Sequence, residues 1–151
     1  MKRRLLLLPF SVLAFALAAN AAAVPVGGFA GSWSANFEKS KFPGPPPKVD
    51  GYVLDQDGTI TVSETGADGH STSWHYTAEE GKAVPVIGRD NVTVTVHKVS
   101  DHVITHSWNM NGKPAKSKSV LSKDGKTTTF TMDGTDKEGK PFHEMVVFDK
   151  Q

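Results

Sequence analysis

From residue 31 onward, short runs rich in valine, threonine, isoleucine and aromatic residues alternate with Asp-Gly, Asn-Gly and Glu-Gly pairs. This punctuation limits the chain more than any other feature, because such pairs mark successive hairpins and no segment shows a helical period. Ten runs are expected as strands: 32–37, 49–55, 59–64, 72–78, 83–87, 92–99, 103–110, 116–121, 127–132 and 142–149. Ten short antiparallel strands, each with one apolar face, must curl or stack to bury that face and to remove exposed edges. The expected fold is therefore all-β, an antiparallel up-and-down β-barrel of about ten short strands. A two-sheet β-sandwich is the alternative.

Two hairpins carry enough apolar pattern to fix a register. In "YVLDQDGTITV" a two-residue Asp57-Gly58 turn would set Leu54 opposite Thr61 and mix the faces. A three-residue loop pairs Leu54 with Ile60 and Tyr52 with Val62, and puts Gly58 at the left-handed position such loops require. In "VTVTVHKVSDHVITHSWNM" a loop of Ser100, Asp101 and His102 pairs Val94 with Trp108 and Val92 with Met110. A slip of one residue would turn Thr93 toward Trp108. These registers, with the alternation along the other runs, turn Tyr52, Trp74, Tyr76, Trp108, Phe130 and Phe148 inward. His106 faces inward opposite Val96, and His97 faces out. "DGTITVSETGADGHSTSWHYTA" resembles "DGKTTTFTMDGTDKEGKPFHEMVVFD" in turn placement, which reads as two similar hairpins and not as a repeat protein.

The first 23 residues stand apart. Lys2, Arg3 and Arg4 precede an apolar run from Leu5 to Ala19, and Ala-x-Ala patterns end at Ala21 and Ala23. This is the pattern of a secretory signal peptide, too short and wrongly flanked for a spanning helix; a retained N-terminal anchor is the alternative. Residues 24–151 are then a single exported domain, periplasmic or secreted, with no membrane span. The chain has seventeen Lys and Arg against sixteen Asp and Glu, and three of the basic residues leave with the signal, so the domain is slightly acidic. No basic stripe interleaved with aromatics remains, which argues against nucleic acid as a partner. The absence of cysteine removes disulfides, lipoprotein acylation, zinc–cysteine sites and thiol chemistry.

"NFEKSKFPGPPPKVDGYVL" places Pro43 and Pro45–Pro47 directly after the first strand. Prolines hold an extended, helix-forbidding path of about 3 Å per residue. The segment reads as a strap across one mouth of the barrel with Phe42 as its plug, or as a solvated linker.

"GSW" at the start of the first strand resembles the Gly-x-Trp signature of lipocalins. The length, strand count and the ending "VVFDKQ" resemble fatty-acid-binding proteins, so the chain is similar to calycin barrels. "WSANFEKSKFPGPPPK" is similar to a group of secreted bacterial proteins, a likeness that implies location and fold and supplies no activity. The resemblance to calycins implies a small ligand held inside the barrel. The chain also departs from them. Fatty-acid-binding proteins close the barrel with a helix-turn-helix where the proline segment stands here. Their inward Arg-x-Tyr, which holds a carboxylate, corresponds by the chain ending to Val146 and Phe148. In lipocalins an arginine packs over the signature tryptophan, and the candidate here is Lys150 over Trp33.

Catalytic and metal chemistry find little support. His102 and His106 are four apart, a chelating interval on a helix but about 13 Å along a strand; His75 and His143 could meet only through the tertiary pairing. Glu79 and Glu80 read as a solvated turn. Nothing resembles a nucleophile elbow or a phosphate-cradling glycine loop. Glu144 shares the face of Val146 and Phe148, where His106 or Lys98 could partner it, unless Met145 and Val147 face inward instead. The expectation is a non-enzymatic monomer with no cofactor and no metal, binding a small, mostly apolar neutral ligand. The ligand-lining residues expected are Tyr52, Trp74, Tyr76, His106, Trp108, Phe130 and Phe148. The alternatives are a filled barrel acting as an envelope or interaction module, and an enzyme on the same barrel.

Overall fold

The structure, a computed structural model, describes residues 23–42, 44–45, 48–66, 68–136 and 138–151. All of the expected leader (1–23) but Ala23, and Pro43, Pro46 and Pro47 of the proline segment, lie outside the described residues. Ten strands follow a short 3-10 helix at Gly27–Phe29: β1 Gly31–Lys41, β2 Val49–Leu54, β3 Thr59–Thr65, β4 Ser71–Thr77, β5 Ala83–Pro85, β6 Val92–Ser100, β7 Val103–Met110, β8 Lys113–Leu121, β9 Thr127–Thr135 and β10 Pro141–Lys150. They form one antiparallel sheet in the order β4-β3-β2-β1-β10-β9-β8-β7-β6-β5. Every sequential neighbour except β4 and β5 is paired, and β10 returns beside β1, so the sheet curls into an up-and-down barrel. The β4–β5 seam is stitched by one bridge, in which His75 and Ile87 exchange backbone bonds of 3.0 and 2.8 Å. The barrel is nearly closed.

Both hairpin registers follow the apolar pattern. Leu54 pairs with Ile60 and Tyr52 with Val62, with Gly58 at φ +85°; Val94 pairs with Trp108, Val92 with Met110, and His106 with Val96. β8 starts three residues before its expected beginning, because Asn111 and Gly112 both take positive φ in a two-residue turn that carries the ladder through Pro114. β5 is shorter than expected, since Val86 N–H bonds back to Val92 and the chain leaves the edge there. The two similar hairpins in the sequence are closed by matching backbone bonds. Gly66 N–H donates to His70 and Asp136 N–H to Lys140, at 2.9 and 2.8 Å.

One end of the barrel is sealed by a segment that the strand pattern does not reveal. Val24, Val26 and Phe29 are each at most 3% exposed. Val24 N–H reaches Ala78 O at 3.4 Å, and Ala23 bridges Glu79. The backbone here passes against Gly58, and Gly28 lies against Leu121, so the plug touches three strand ends. Trp33 Nε1 donates to Phe29 O at 2.8 Å and fixes it from below. The opposite end collects the ends of β1, β3, β7 and β9 with the starts of β2, β4, β8 and β10, and there both ends of the proline segment arrive. Phe42 packs edge-on against Phe37, ring centres 6.2 Å apart. Among the described residues no helix is long and apolar enough to cross a membrane.

Candidate functional site

Inside the barrel lies a cavity of about 320 Å³, within the range of small-molecule pockets. Tyr52 from β2, Trp74 and Tyr76 from β4, His106 and Trp108 from β7, Phe130 from β9 and Phe148 from β10 all line it. The alternation of strands brings all seven expected residues to one wall system. Their rings form two contact groups. Tyr52 stacks on Trp33 at 6.0 Å and meets Phe148 edge-on at 5.0 Å. Trp108 meets Trp74 and Tyr76 edge-on at 6.3 and 5.9 Å and stacks with His106 at 5.9 Å, and His106 in turn tilts over Phe130.

Several polar groups of this wall are spent on holding it. The Tyr52 and Thr128 hydroxyls lie 2.9 Å apart. Trp108 Nε1 donates to Ser117 Oγ at 2.9 Å, and Trp74 Nε1 to Glu64 Oε1 at 3.0 Å. Burial pushes the Tyr52 and Tyr76 hydroxyls well above the ordinary phenol value, so both remain protonated donors. Burial also pushes His106 down to about 4, with the Ser117 backbone opposing, so its imidazole is neutral at pH 7. His106 Nδ1 is buried without a hydrogen-bond partner.

Charged residues are confined to the end opposite the plug, where Lys48, Glu64, Arg89 and Glu144 reach the cavity. Arg89 pairs with Glu64 and lies 5.3 Å over the Trp74 ring, which ties the β5–β6 segment to β3 and β4 across the open seam. Lys48 and Arg89 were not expected at the site. Lys48 sits at the end of the proline segment and Arg89 in a turn, so no strand period points either of them anywhere. Glu144 faces in with Val146 and Phe148, which resolves the alternative in which Met145 and Val147 do so. Lys98 is not its partner: that ammonium pairs with Asp101 at 2.8 Å. Burial raises the proton affinity of the Glu144 carboxyl, with His143 opposing.

The remaining histidines stay on the outside. His97 pairs with Glu80 at 3.0 Å and His143 with Asp133 at 2.7 Å, and three strands separate β4, which carries His75, from β10, which carries His143. Among the described residues no three His, Asp or Glu side chains form a group that could hold a metal ion.

The fold and cavity define a nearly closed, ten-stranded antiparallel barrel with an aromatic-walled interior. No protein-family model matches the chain, and no curated protein matches it. The fold is similar to that of the fluorescent protein UnaG: a single-residue variant of UnaG superposes with a TM-score of 0.53 at 12% identity, covering 82% of this chain and 96% of that one. Wild-type UnaG gives 0.49 over the same share of this chain.

Proposed function

We propose that this chain is an exported, monomeric, non-enzymatic binding protein that holds one small, mostly apolar, neutral ligand inside its barrel. The observation that carries this reading is the aromatic-walled cavity of about 320 Å³. A filled barrel would have closed over such a space, since interiors pack to crystal-like density. Burying ligand surface against these rings contributes roughly 25 cal/mol per Å² before ordering costs.

Neutrality follows from the charges. Val146 and Phe148 stand where the resembling fatty-acid-binding proteins hold an anion, and the Glu144 carboxylate beside them repels one. Of the two cations at the mouth, Arg89 is already paired with Glu64. Export rests on the leader pattern, and cleavage after Ala21 or Ala23 gives a protein beginning at Ala22 or Val24.

Native mass spectrometry of the protein purified from its own source tests the reading by finding a retained small molecule, and its intact mass tests the cleavage. In titrations followed by Trp74 and Trp108 fluorescence, a fatty alcohol or methyl ester is expected to bind better than the matching acid at pH 7. Acid binding tenfold tighter, about 1.4 kcal/mol, would overturn neutrality and assign the anion to Lys48 or His106. Binding of neither would favour a function on the outer surface.

A further inference from the structure

A polar side chain inside an apolar barrel is expected to be hydrogen-bonded, so those that are not bonded are informative. Tyr52, Thr128, Trp74, Trp108 and Ser117 satisfy one another or Glu64. Among the uncharged polar groups that line the cavity, three have no hydrogen bond to any described residue, the Tyr76 hydroxyl, the Ser119 hydroxyl and His106 Nδ1, and His106 Nδ1 is fully buried as well.

Their placement is not scattered. Tyr76 lies beside Ile60 near the end of β4, and Ser119 beside Ile104 and Phe130 near the end of β8; both are in the half of the cavity that Phe29 closes. His106 is two residues along β7 from Ile104, facing Ser117, so it sits one step nearer the middle. Trp108 touches both the Tyr76 and the His106 ring at 5.9 Å and links the group into one wall. The charged side chains that line the cavity are all at the far, open end.

We propose that Tyr76, His106 and Ser119 form a head-group subsite at the plugged end, which takes the hydroxyl of an otherwise apolar alcohol bound head inward. This rests on the reading of the barrel as a binder of neutral ligands and adds the head-group chemistry and the orientation. Hydrogen-bond valence selects the hydroxyl. His106 Nδ1 has no hydrogen-bond partner, and with the proton of the neutral ring on Nε2 it is a bare acceptor. Tyr76 and Ser119 each have a proton to donate. A ligand hydroxyl donates to Nδ1 and accepts from Tyr76 or Ser119 at once. An ether or ketone can only accept, an ammonium only donate, and a carboxylate brings a charge that nothing in this half of the cavity neutralises.

The test is a matched set of probes titrated against the full exported chain by tryptophan fluorescence: decanol, its isosteric methyl ether, decanoic acid and decylamine. Decanol is expected to bind about fivefold tighter than the ether, the scale of one net hydrogen bond. That preference comes from donation to His106 Nδ1 and is expected to fall to near unity in His106→Phe, whereas Tyr76→Phe, which removes a donor that both probes can use, is expected to weaken alcohol and ether alike. Should the histidine variant not fold, the double variant Tyr76→Phe with Ser119→Ala tests the donors: it is expected to weaken decanol and the ether together, and unchanged affinity for both would overturn the subsite. Equal affinity of alcohol and ether in the wild type, with both bound, would remove the subsite and leave the apolar cavity standing. Tightest binding of the amine or the acid would move recognition to Glu144 or Lys48 and overturn the proposal. No binding of any probe would overturn the parent reading and the subsite with it.

Discussion

The ammonium of Lys150 lies 5.1 Å from the centre of the Trp33 ring and donates to the Gly28 carbonyl at 3.3 Å. The last strand thus reaches the first strand and the plug together, with Lys150 where the resembling lipocalins place an arginine. An exposed cation over an indole contributes about 0.5–1 kcal/mol. Lys150→Met keeps much of the stem packing and removes the charge, so a loss of about that size in urea-determined stability is expected. Lys150→Arg is expected to restore it through the planar contact.

Phe29 is the larger support of the same end. It is 2% exposed, closes the cavity from below and is held by Trp33 through its carbonyl. Phe29→Ala opens space at the plug and is expected to cost about 3–5 kcal/mol. The denaturant midpoint reads that cost. An unchanged midpoint would mean that the plug is not part of the cooperative unit.

Gly51 allows the first two strands to approach. A Cβ at this position would overlap the Trp33 carbonyl oxygen and crowd Ser34, its partner across the ladder. The obstacle is backbone, which cannot swing aside as a side chain can. Gly51→Ala is expected to destabilise by at least about 2 kcal/mol, read by thermal or urea unfolding.

Strand alternation made the barrel and most of its wall legible, because a period of two decides the face of every residue once a hairpin register is known. Leu54 against Ile60 and Val94 against Trp108 fixed two registers, and the inward aromatics followed. The plug was not legible. "VPVGGFA" has no period and carries a Gly-Gly pair that reads as loop, while its burial depends on strand ends far away in sequence. The Trp74–Glu64–Arg89 group joins β4, β3 and a turn after β5, a meeting that exists only once the barrel has curled.

His106 gives the most discriminating measurement. Burial lowers its pKa from the usual 6.5 to about 4, because the imidazolium would lose its hydration among Trp108 and Phe130. The unfolded chain therefore binds a proton that the folded chain refuses between these two values. The neutral-ring stability is present in full above pH 6.5 and is lost as pH falls from 6.5 toward 4. At about 1.4 kcal/mol per unit, the loss over that window is roughly 3 kcal/mol. Carboxylates such as Asp149, which Asn36 and Lys39 hold below the usual range, add their own acid dependence at lower pH. Comparison with His106→Phe subtracts them, because the variant keeps every carboxylate and removes only the imidazole. The wild-type curve of unfolding free energy is expected to fall away from the variant curve below pH 6.5 and to run parallel to it above. Parallel curves from pH 7 to pH 4 would show that His106 titrates alike folded and unfolded, and that water reaches the plugged half of the cavity.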